Sequence, residues 1–312
     1  MRTAALRRGA SPTRVPEAPR TNPGTCSPRS SEQLHEPVET MITHPLALGV
    51  ADAHLAAVDT AVPDFVEALY LVGSAAMGDF RPSLSDVDFV AVTQARPGNG
   101  ELVALAEAHA RLALERPTPA LDGIYLTWDD LRDGPVGIPD GPCVQRGRFF
   151  ASGCHDRHPL TWSVLGTSAV TVRGPLCAGT GLWRGAAHLE RWALAGVDEC
   201  RGRWLGTDTA DEATLLAADG VERAVLGMCR LHYILATRVV PSKSDAGLYG
   251  LITFPPEWHR VIDEALRIRR EPAAACLYET PGERRRDALA FVRAVADDAR
   301  ASGTDGGGPP LG

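Results

Sequence analysis

The segment from Leu69 to Val92 constrains the fold of this chain more than any other part of the sequence. It contains an apolar run, the pair Gly73-Ser74, a short polar stretch, and then a second apolar run that opens with Asp86 and Asp88. Because side chains alternate along a strand, Asp86 and Asp88 point to the same side. The segment therefore predicts two strands that carry a pair of carboxylates at one edge of a sheet.

This arrangement indicates phosphoryl-group chemistry. Two adjacent carboxylates repel each other unless a cation lies between them, and their hard oxygen atoms favour Mg²⁺. Gly73 lets the backbone approach a phosphate closely, and Ser74 supplies a hydroxyl and an amide donor near a helix start. We expect Asp86 and Asp88 to hold Mg²⁺ in a two-ion arrangement that also neutralises a leaving pyrophosphate. The alternative, a solvated strand end, leaves the ordered combination of motifs unexplained.

The rest of the chain divides by its apolar periodicity. Residues 1–42 lack such a periodicity and are expected to form a disordered extension, with Met41 as an alternative start of the chain. Strands and helices alternate over residues 43–178, with short β-prone runs at 68–72, 87–92, 124–127 and 169–172 and helical spacing at 46–62 and 102–114. Only helices are predicted over residues 179–301, at 186–203, 219–237, 244–251, 258–269 and 284–301. Residues 302–312 form a flexible Gly/Pro tail. The fold class is therefore predicted as α+β, followed by an all-α domain.

Charge and composition limit the partners. The formal net charge of −7 provides no basic face for a nucleic-acid backbone and suits a small cationic partner. No apolar stretch approaches the roughly 18 residues that a spanning helix needs, so we expect a soluble protein without a membrane partner. The seven cysteines are odd in number and include no C-x-x-C pair, which favours a reducing cytoplasm.

Lysine occurs once in the sequence, at Lys243, among 32 Lys and Arg residues. Ser242 is a suitable helix N-cap, with Asp245 three residues further on. Lys243 would then lie in the first turn of a helix, where the helix macrodipole is positive. A cation at this position requires an anion nearby.

Two segments carry a resemblance to known families. Val72-Gly73-Ser74 and Ser85-Asp86-Val87-Asp88-Phe89 resemble the signature of the nucleotidyltransferase superfamily that shares its catalytic fold with DNA polymerase β. The segment from Leu226 to Gly247 is similar to the helical C-terminal domain of aminoglycoside 3''-adenylyltransferases, the spectinomycin and streptomycin resistance enzymes. The resemblance extends over roughly residues 45 to 295.

The resemblance implies a polymerase β-like nucleotidyltransferase domain with a short mixed sheet, followed by a helical domain that binds ATP and substrate. It implies cytoplasmic transfer of AMP from ATP to a hydroxyl of an aminoglycoside. Asp122 matches the family's general base, usually a glutamate; a turn cap before Gly123 is the alternative. Lys243 would grip the ATP triphosphate, and Tyr278 would lie near the nucleotide or pack in the core.

Several features depart from the family pattern. Acidic residues near the start of the helix that contains Leu226 would contact a cationic drug, but Gly220 and Arg223 stand where the family tends to have acidic and polar contacts. The family's drug-stacking tryptophan has no clear match in this chain; only Phe149 and Phe150 lie in that part of the sequence. The acidic residues are Asp208, Asp211, Glu212, Asp219 and Glu222.

Three further interpretations stay open. The segment from Cys154 to His158 has metal-ligand residue types, but a structural or accidental role is favoured because a zinc site normally needs four ligands at recognisable spacing. The same chemistry could modify a protein or RNA, as in nucleotidyltransferase toxin–antitoxin systems. A sensor that binds nucleotide without transferring it is the other alternative.

Overall fold

The structure, a computed structural model, describes residues 43–177, 185–206, 214 and 217–304. The predicted disordered extension over residues 1–42 lies outside these ranges, as do residues 305–312 of the predicted tail. Among the described helices, none is both long enough and apolar enough to cross a membrane.

Strands and helices alternate in the first part of the chain, as predicted. The strands match the predicted apolar runs, and two further strands, β4 and β5, and two short helices, α4 and α5, were not predicted. The elements are α1 (Pro45–Ala61), β1 (Val66–Leu71), α2 (Gly73–Ala76), β2 (Val87–Thr93), α3 (Asn99–Glu115), β3 (Leu121–Thr127), α4 (Trp128–Asp133), β4 (Gly141–Gln145), β5 (Arg148–Gly153), α5 (Pro159–Thr167) and β6 (Val170–Arg173).

The described strands form one mixed sheet in the order β5-β4-β3-β2-β1-β6. Strands β2 and β3 are parallel, and the remaining neighbours are antiparallel. Both faces of the sheet are covered, which explains why its central strands are apolar without alternation. Leu69 and Leu71 pack on the face covered by α1 and α3, whereas Tyr70 packs on the face that holds Trp162 of α5.

The second part of the chain contains only helices among its described residues, as predicted. They are α6 (Ala186–Leu205), α7 (Ala218–Thr237), α8 (Lys243–Thr253), a 3₁₀ turn (Pro256–Trp258), α9 (His259–Arg270) and α10 (Pro281–Thr304). Helix α7 is the central one, and its apolar residues share a core with α6, α8, α9 and α10. Gly247 allows close packing, since a Cβ there would lie 2.6 Å from Leu266 and 2.9 Å from Leu226.

A buried ion pair joins the sheet to the helices and fixes the space between them. Asp79, in the loop after α2, accepts hydrogen bonds from the Ser244 amide at 3.1 Å and from the Ser244 hydroxyl at 2.7 Å. Arg269 of α9 donates to the same carboxylate at 2.7 Å and to the Asp79 carbonyl at 2.9 Å. We call these three residues the Asp79 junction. It holds the start of α8 and the end of α9 against the Gly73-Ser74 segment.

Candidate active site

A cavity of about 390 Å³ lies where the sheet meets the helices. The sheet side contributes the predicted residues Gly73, Ser74, Asp86 and Asp88. The helical side contributes cations and an aromatic ring. The lining residues from the helices and from the loop before α5 are Asp156, His158, Leu160, Thr161, Val164, Trp192, Arg230, Lys243 and Arg269. The two sequence motifs therefore meet in one cavity.

The carboxylates are brought together by the parallel pairing of β2 and β3. Asp88 lies directly opposite Asp122 in the register of these strands. Burial raises the pKa of Asp88 well above its ordinary value, and the nearby charges of Asp156, Asp122 and Asp86 raise it further. Burial and the charge of Asp122 also raise the pKa of Asp86. These four carboxylates repel one another, which is the electrostatic condition that a bound divalent cation relieves.

Gly73 occupies a position that only glycine can fill without displacing the site. Its φ is +58°, and an ideal Cβ would lie 1.9 Å from Oδ2 of Asp88. The strand β1 therefore turns into α2 directly against the carboxylate of β2. Ser74 follows on α2 and lines the cavity. The close approach seen here is that of the backbone to Asp88, and the phosphate contact of the Gly-Ser pair stays a prediction.

Lys243 lies in the first turn of α8, as predicted, and Ser242 caps that helix by accepting the Asp245 amide at 3.1 Å. The anion that the sequence called for is present inside the protein: Glu222 of α7 accepts from Lys243 Nζ at 3.2 Å. Arg269 donates to the same carboxylate at 3.0 Å. Glu222 thus pairs with two internal cations, whereas acceptor contact by the acidic cluster as a whole stays a prediction, because three of its members lie outside the described residues.

Arg230 of α7 is a site residue that the sequence did not single out. It lines the cavity, and its Nε is buried without a hydrogen-bond partner among the described residues. Burial lowers the pKa of Arg230 to about 10, against the opposing charge of Asp88. The sequence feature that could have indicated Arg230 is a charged residue between Cys229 and Leu231, which are both buried in the helical core. Together with Lys243, it gives the cavity a cationic wall that suits phosphate groups, whereas Arg269 is paired with Asp79 and Glu222.

The loop between β5 and α5 adds two more groups to the carboxylates. His155 Nε2 lies 2.5 Å from Asp122 Oδ1 and 3.2 Å from Asp156 Oδ2. His158 Nε2 lies 3.3 Å from the other oxygen of Asp156. Asp122, His155 and Asp156 each offer an atom within 4.8 Å of the others, a spacing that one ion could span. The described cysteines are not part of this group, so the structure gives no four-ligand zinc site within the described residues.

The remaining predicted residues lie elsewhere or outside the described ranges. Tyr278 is buried in the helical core, donates to Asp287 at 2.9 Å and packs under Arg260, which supports core packing rather than nucleotide contact. Phe149 stacks on His109 behind the sheet, whereas Trp192 of α6 is the aromatic ring that lines the cavity. Asp208, Asp211 and Glu212 lie outside the described residues, and Asp219 forms an exposed ion pair with Arg223.

Comparison with known proteins agrees with this architecture. Residues 208–297 match the family model described as aminoglycoside adenylyltransferase, C-terminal domain. No curated protein sequence matches the chain. Among solved structures, spectinomycin adenyltransferase AAD(9) from Enterococcus faecialis, crystallised with ATP and spectinomycin, is similar with a TM-score of 0.60 and 10% identity. The match covers 81% of this chain and 98% of AAD(9), and it confirms the predicted fold.

Proposed function

We propose that this chain, an aminoglycoside adenylyltransferase-like enzyme, transfers AMP from ATP to a hydroxyl of a small cationic acceptor of the aminoglycoside class. One observation carries the proposal: a single cavity has the carboxylates of Asp86 and Asp88 on one side and the cations Arg230 and Lys243 on the other. This separation of charge fits a metal-bound triphosphate. The matched family model and the AAD(9) fold support the choice of ATP and aminoglycoside.

The residues present fit Mg²⁺. Asp86 and Asp88 supply hard oxygen ligands, and burial together with the neighbouring carboxylates raises the pKa of both, a condition that a bound cation would relieve. Asp86 and Asp88 would hold the metal, in a two-ion arrangement. When bound, Mg²⁺ supplies charge neutralisation at the attacking oxygen and at the leaving pyrophosphate.

The chain's own residues would bind and orient the nucleotide. Gly73 brings the backbone close to the carboxylates, and Ser74 offers a hydroxyl to a phosphate at the start of α2. Lys243 and Arg230 would bind the β- and γ-phosphates from the helical side. The Asp79 junction keeps the two sides at a fixed separation, so the site is organised before ATP enters.

Asp122 would act as the general base. Its carboxylate lies on the strand next to Asp88 and would take the proton from the acceptor hydroxyl. The hydroxyl oxygen then forms a bond with the α-phosphorus of ATP, while the bond from that phosphorus to the bridging oxygen of the β-phosphate breaks. Pyrophosphate leaves with the electron pair of the broken bond. Arg230 and Lys243 stabilise the negative charge that develops on the pyrophosphate.

The acceptor class is supported by the ring of Trp192, which lines the cavity, and by the net charge of −7. An ammonium or guanidinium group would find an aromatic surface at Trp192, whereas Asp156 already lies beside the imidazoles of His155 and His158. A streptomycin- or spectinomycin-type acceptor has the required size and positive charge.

The experiment that tests the proposal is incubation of the purified protein with labelled ATP, Mg²⁺ and a panel of aminoglycosides. We expect pyrophosphate release and an acceptor that gains the mass of one AMP, detected by mass spectrometry. Asp88→Asn is the matched control, since it removes one carboxylate charge with little change of shape; we expect it to abolish transfer while the circular dichroism spectrum stays unchanged. Undiminished turnover in Asp88→Asn would contradict the metal assignment.

Other outcomes of the same assay separate the alternatives. A mass gain on a protein or RNA in place of the aminoglycosides would identify a macromolecular acceptor. Saturable ATP binding without pyrophosphate release under any condition would identify a nucleotide sensor. Either result would overturn the proposed acceptor.

A further inference from the structure

The loop from Cys154 to His158 is held against the sheet independently of the active site. Arg157 is buried, and its guanidinium donates to the carbonyl oxygens of Gly153 at 3.1 Å, Tyr125 at 2.9 Å and Pro142 at 3.2 Å. Gly141 leaves room for it, since a Cβ there would lie 2.6 Å from Arg157 Nη2. A side chain anchored to three backbone carbonyls fixes the path of the loop.

This anchor places His155 beside Asp122. Asp122 is 8% exposed. Within the described part of the chain, the side chain that hydrogen-bonds to it is His155, whose Nε2 lies 2.5 Å from Oδ1. The other carboxylate oxygen, Oδ2, makes no hydrogen bond with the described residues, and the carboxylate lies next to Asp88 of the cavity lining. Next to Asp122 on the same strand, a Cβ at Gly123 would lie 2.2 Å from the Phe89 carbonyl, so β3 packs closely against β2 at this point.

Asp156 lies beside the same nitrogen of His155, as a second and more distant carboxylate. Its carboxylate lies 3.2 Å from His155 Nε2 through one oxygen and 3.3 Å from His158 Nε2 through the other. The backbone at Asp156 has φ +52°, a left-handed conformation that is unusual for a residue with a side chain. That conformation turns the carboxylate back toward the two imidazoles. The row His158, Asp156, His155, Asp122 therefore runs from the cavity wall to the carboxylates.

We propose that His155 is a positioning residue for the transfer reaction: its Nε2–H fixes Oδ1 of Asp122, so that Oδ2 receives the proton of the acceptor hydroxyl. The inference rests on the proposed function. The family that this chain resembles usually has a glutamate as the general base. Asp122 has one methylene group fewer, so its carboxylate reaches less far from the strand. A fixed orientation matters more for such a short base, because a small rotation of the carboxylate moves the proton-accepting oxygen out of reach.

The test compares His155→Leu, which removes the donor, with His155→Gln, whose side-chain amide places a donor near the position of Nε2. We expect His155→Leu to lower kcat for AMP transfer by about 10- to 100-fold, as is typical when a group that orients a site residue is lost. The KM for ATP should stay unchanged in both variants, and His155→Gln should recover most of kcat. Cys154→Ser, an exposed position in the same loop, is the control and should match the wild type.

A double-mutant cycle with Asp122→Asn separates positioning from general destabilisation. If His155 acts through Asp122, adding His155→Leu to Asp122→Asn should cause no further loss of kcat. A ¹⁵N-histidine NMR spectrum of the wild-type protein provides a readout that does not depend on activity. We expect a downfield proton on Nε2 of His155 that disappears in Asp122→Asn.

Several results would overturn the inference. These are wild-type kcat in His155→Leu, a His155→Gln variant as slow as His155→Leu, additive losses in the double variant, or absence of the downfield proton. A stoichiometric metal ion that is lost in His155→Leu would instead assign Asp122, His155 and Asp156 to an ion site. Failure of the proposed function is distinct: wild-type protein would then transfer AMP to no aminoglycoside, even with the downfield proton present.

Discussion

Lys243 shows how far a single residue can be interpreted from sequence. Its place in the first turn of a helix and its need for an anion were predictable from Ser242 and Asp245, which lie beside it in the chain. The identity of the anion was not predictable, because Glu222 lies 21 residues away and reaches Lys243 only through the packing of α7 on α8. The same holds for His155, whose partner Asp122 is 33 residues distant.

The proposed phosphate role of Lys243, which is paired with Glu222 in the structure, gives a prediction about binding. Lys243→Ala should weaken ATP binding by about 10- to 100-fold, the loss of one charge-assisted hydrogen bond of about 1.5–3 kcal/mol. Acceptor binding should stay within about twofold of the wild type, because the lysine lies on the cationic wall. Isothermal titration calorimetry with each ligand measures both values. Equal weakening of ATP and acceptor binding would remove the phosphate role.

At the level of helices and strands, the fold was predictable where the apolar pattern is long. The predicted runs of β1, β2, β3 and β6 and the long helices correspond to observed elements. Strands β4 and β5 were missed because they are short, because β4 begins with Gly141-Pro142, and because Gly147 lies between them; these are typical turn residues. Helix α5 was missed for a related reason, since Pro159 and Gly166 bracket it.

The junction of β1 with α2 gives a prediction at this scale. Gly73→Ala should abolish AMP transfer and lower the free energy of unfolding by more than about 1 kcal/mol, because φ is +58° and the new Cβ would lie 1.9 Å from Asp88 Oδ2. Gly100→Ala in α3 is the matched control, with nothing within 4 Å of the new Cβ. It should leave activity unchanged and stabilise the helix by about 0.5–1 kcal/mol. Urea unfolding and the pyrophosphate assay together test both variants.

For the molecule as a whole, the packing of the helices against the sheet depends on a buried ion pair that cannot be predicted from the sequence around either residue. Asp79 and Arg269 are 190 residues apart, and their side chains are 5% and 4% exposed. Although burial opposes ionisation, the Ser244 hydroxyl and Arg269 hold the pKa of Asp79 below its ordinary value. The sequence contains only an aspartate after Gly78 and an arginine near a helix end, neither of which indicates a partner.

Breaking this pair should destabilise the whole protein. Asp79→Ala leaves Arg269 buried with only Glu222 as a charged partner, and we expect a loss of about 3–5 kcal/mol in the free energy of unfolding. Asp129→Ala provides the comparison, because its ion pair with Arg132 is exposed and should contribute less than about 1 kcal/mol. Urea denaturation followed by circular dichroism distinguishes the two. Equal effects would show that the Asp79 junction contributes little to stability.

The buried histidines behind the sheet make the stability of the molecule depend on pH. His54 and His109 both contact the Tyr125 hydroxyl, at 2.9 and 2.7 Å. Burial lowers the pKa of His109 to about 4 and lowers that of His54 as well. Because an unfolded histidine titrates near 6.5, the folded state resists protonation below that pH, and stability is lost as the pH falls from about 6.5 toward 4.

The size of this loss can be measured. Protonation of His109 alone should lower the free energy of unfolding by about 3 kcal/mol at pH 4. Its pKa is about 2.5 lower in the folded than in the unfolded chain, and a difference of one in pKa corresponds to about 1.36 kcal/mol. Asp86 and Asp88 act in the opposite direction, since their raised pKa values favour the folded state at low pH. A variant with both His54→Gln and His109→Gln should therefore show a smaller difference in unfolding free energy between pH 7.5 and 5. An unchanged difference would exclude the histidines as the cause.

The ammonium of Lys243 is the sole lysine amine of the chain, and it lines the cavity of the candidate active site with 31% of its side chain exposed. Amine-reactive reagents, which normally modify many lysines of a protein, thus have a single lysine side chain to modify here. An amine-reactive label can attach only here and at the chain terminus, so its yield reports whether phosphate covers the cavity. A lysine-specific protease likewise has a single bond to cut, between Lys243 and Ser244, at the point where the Asp79 junction begins.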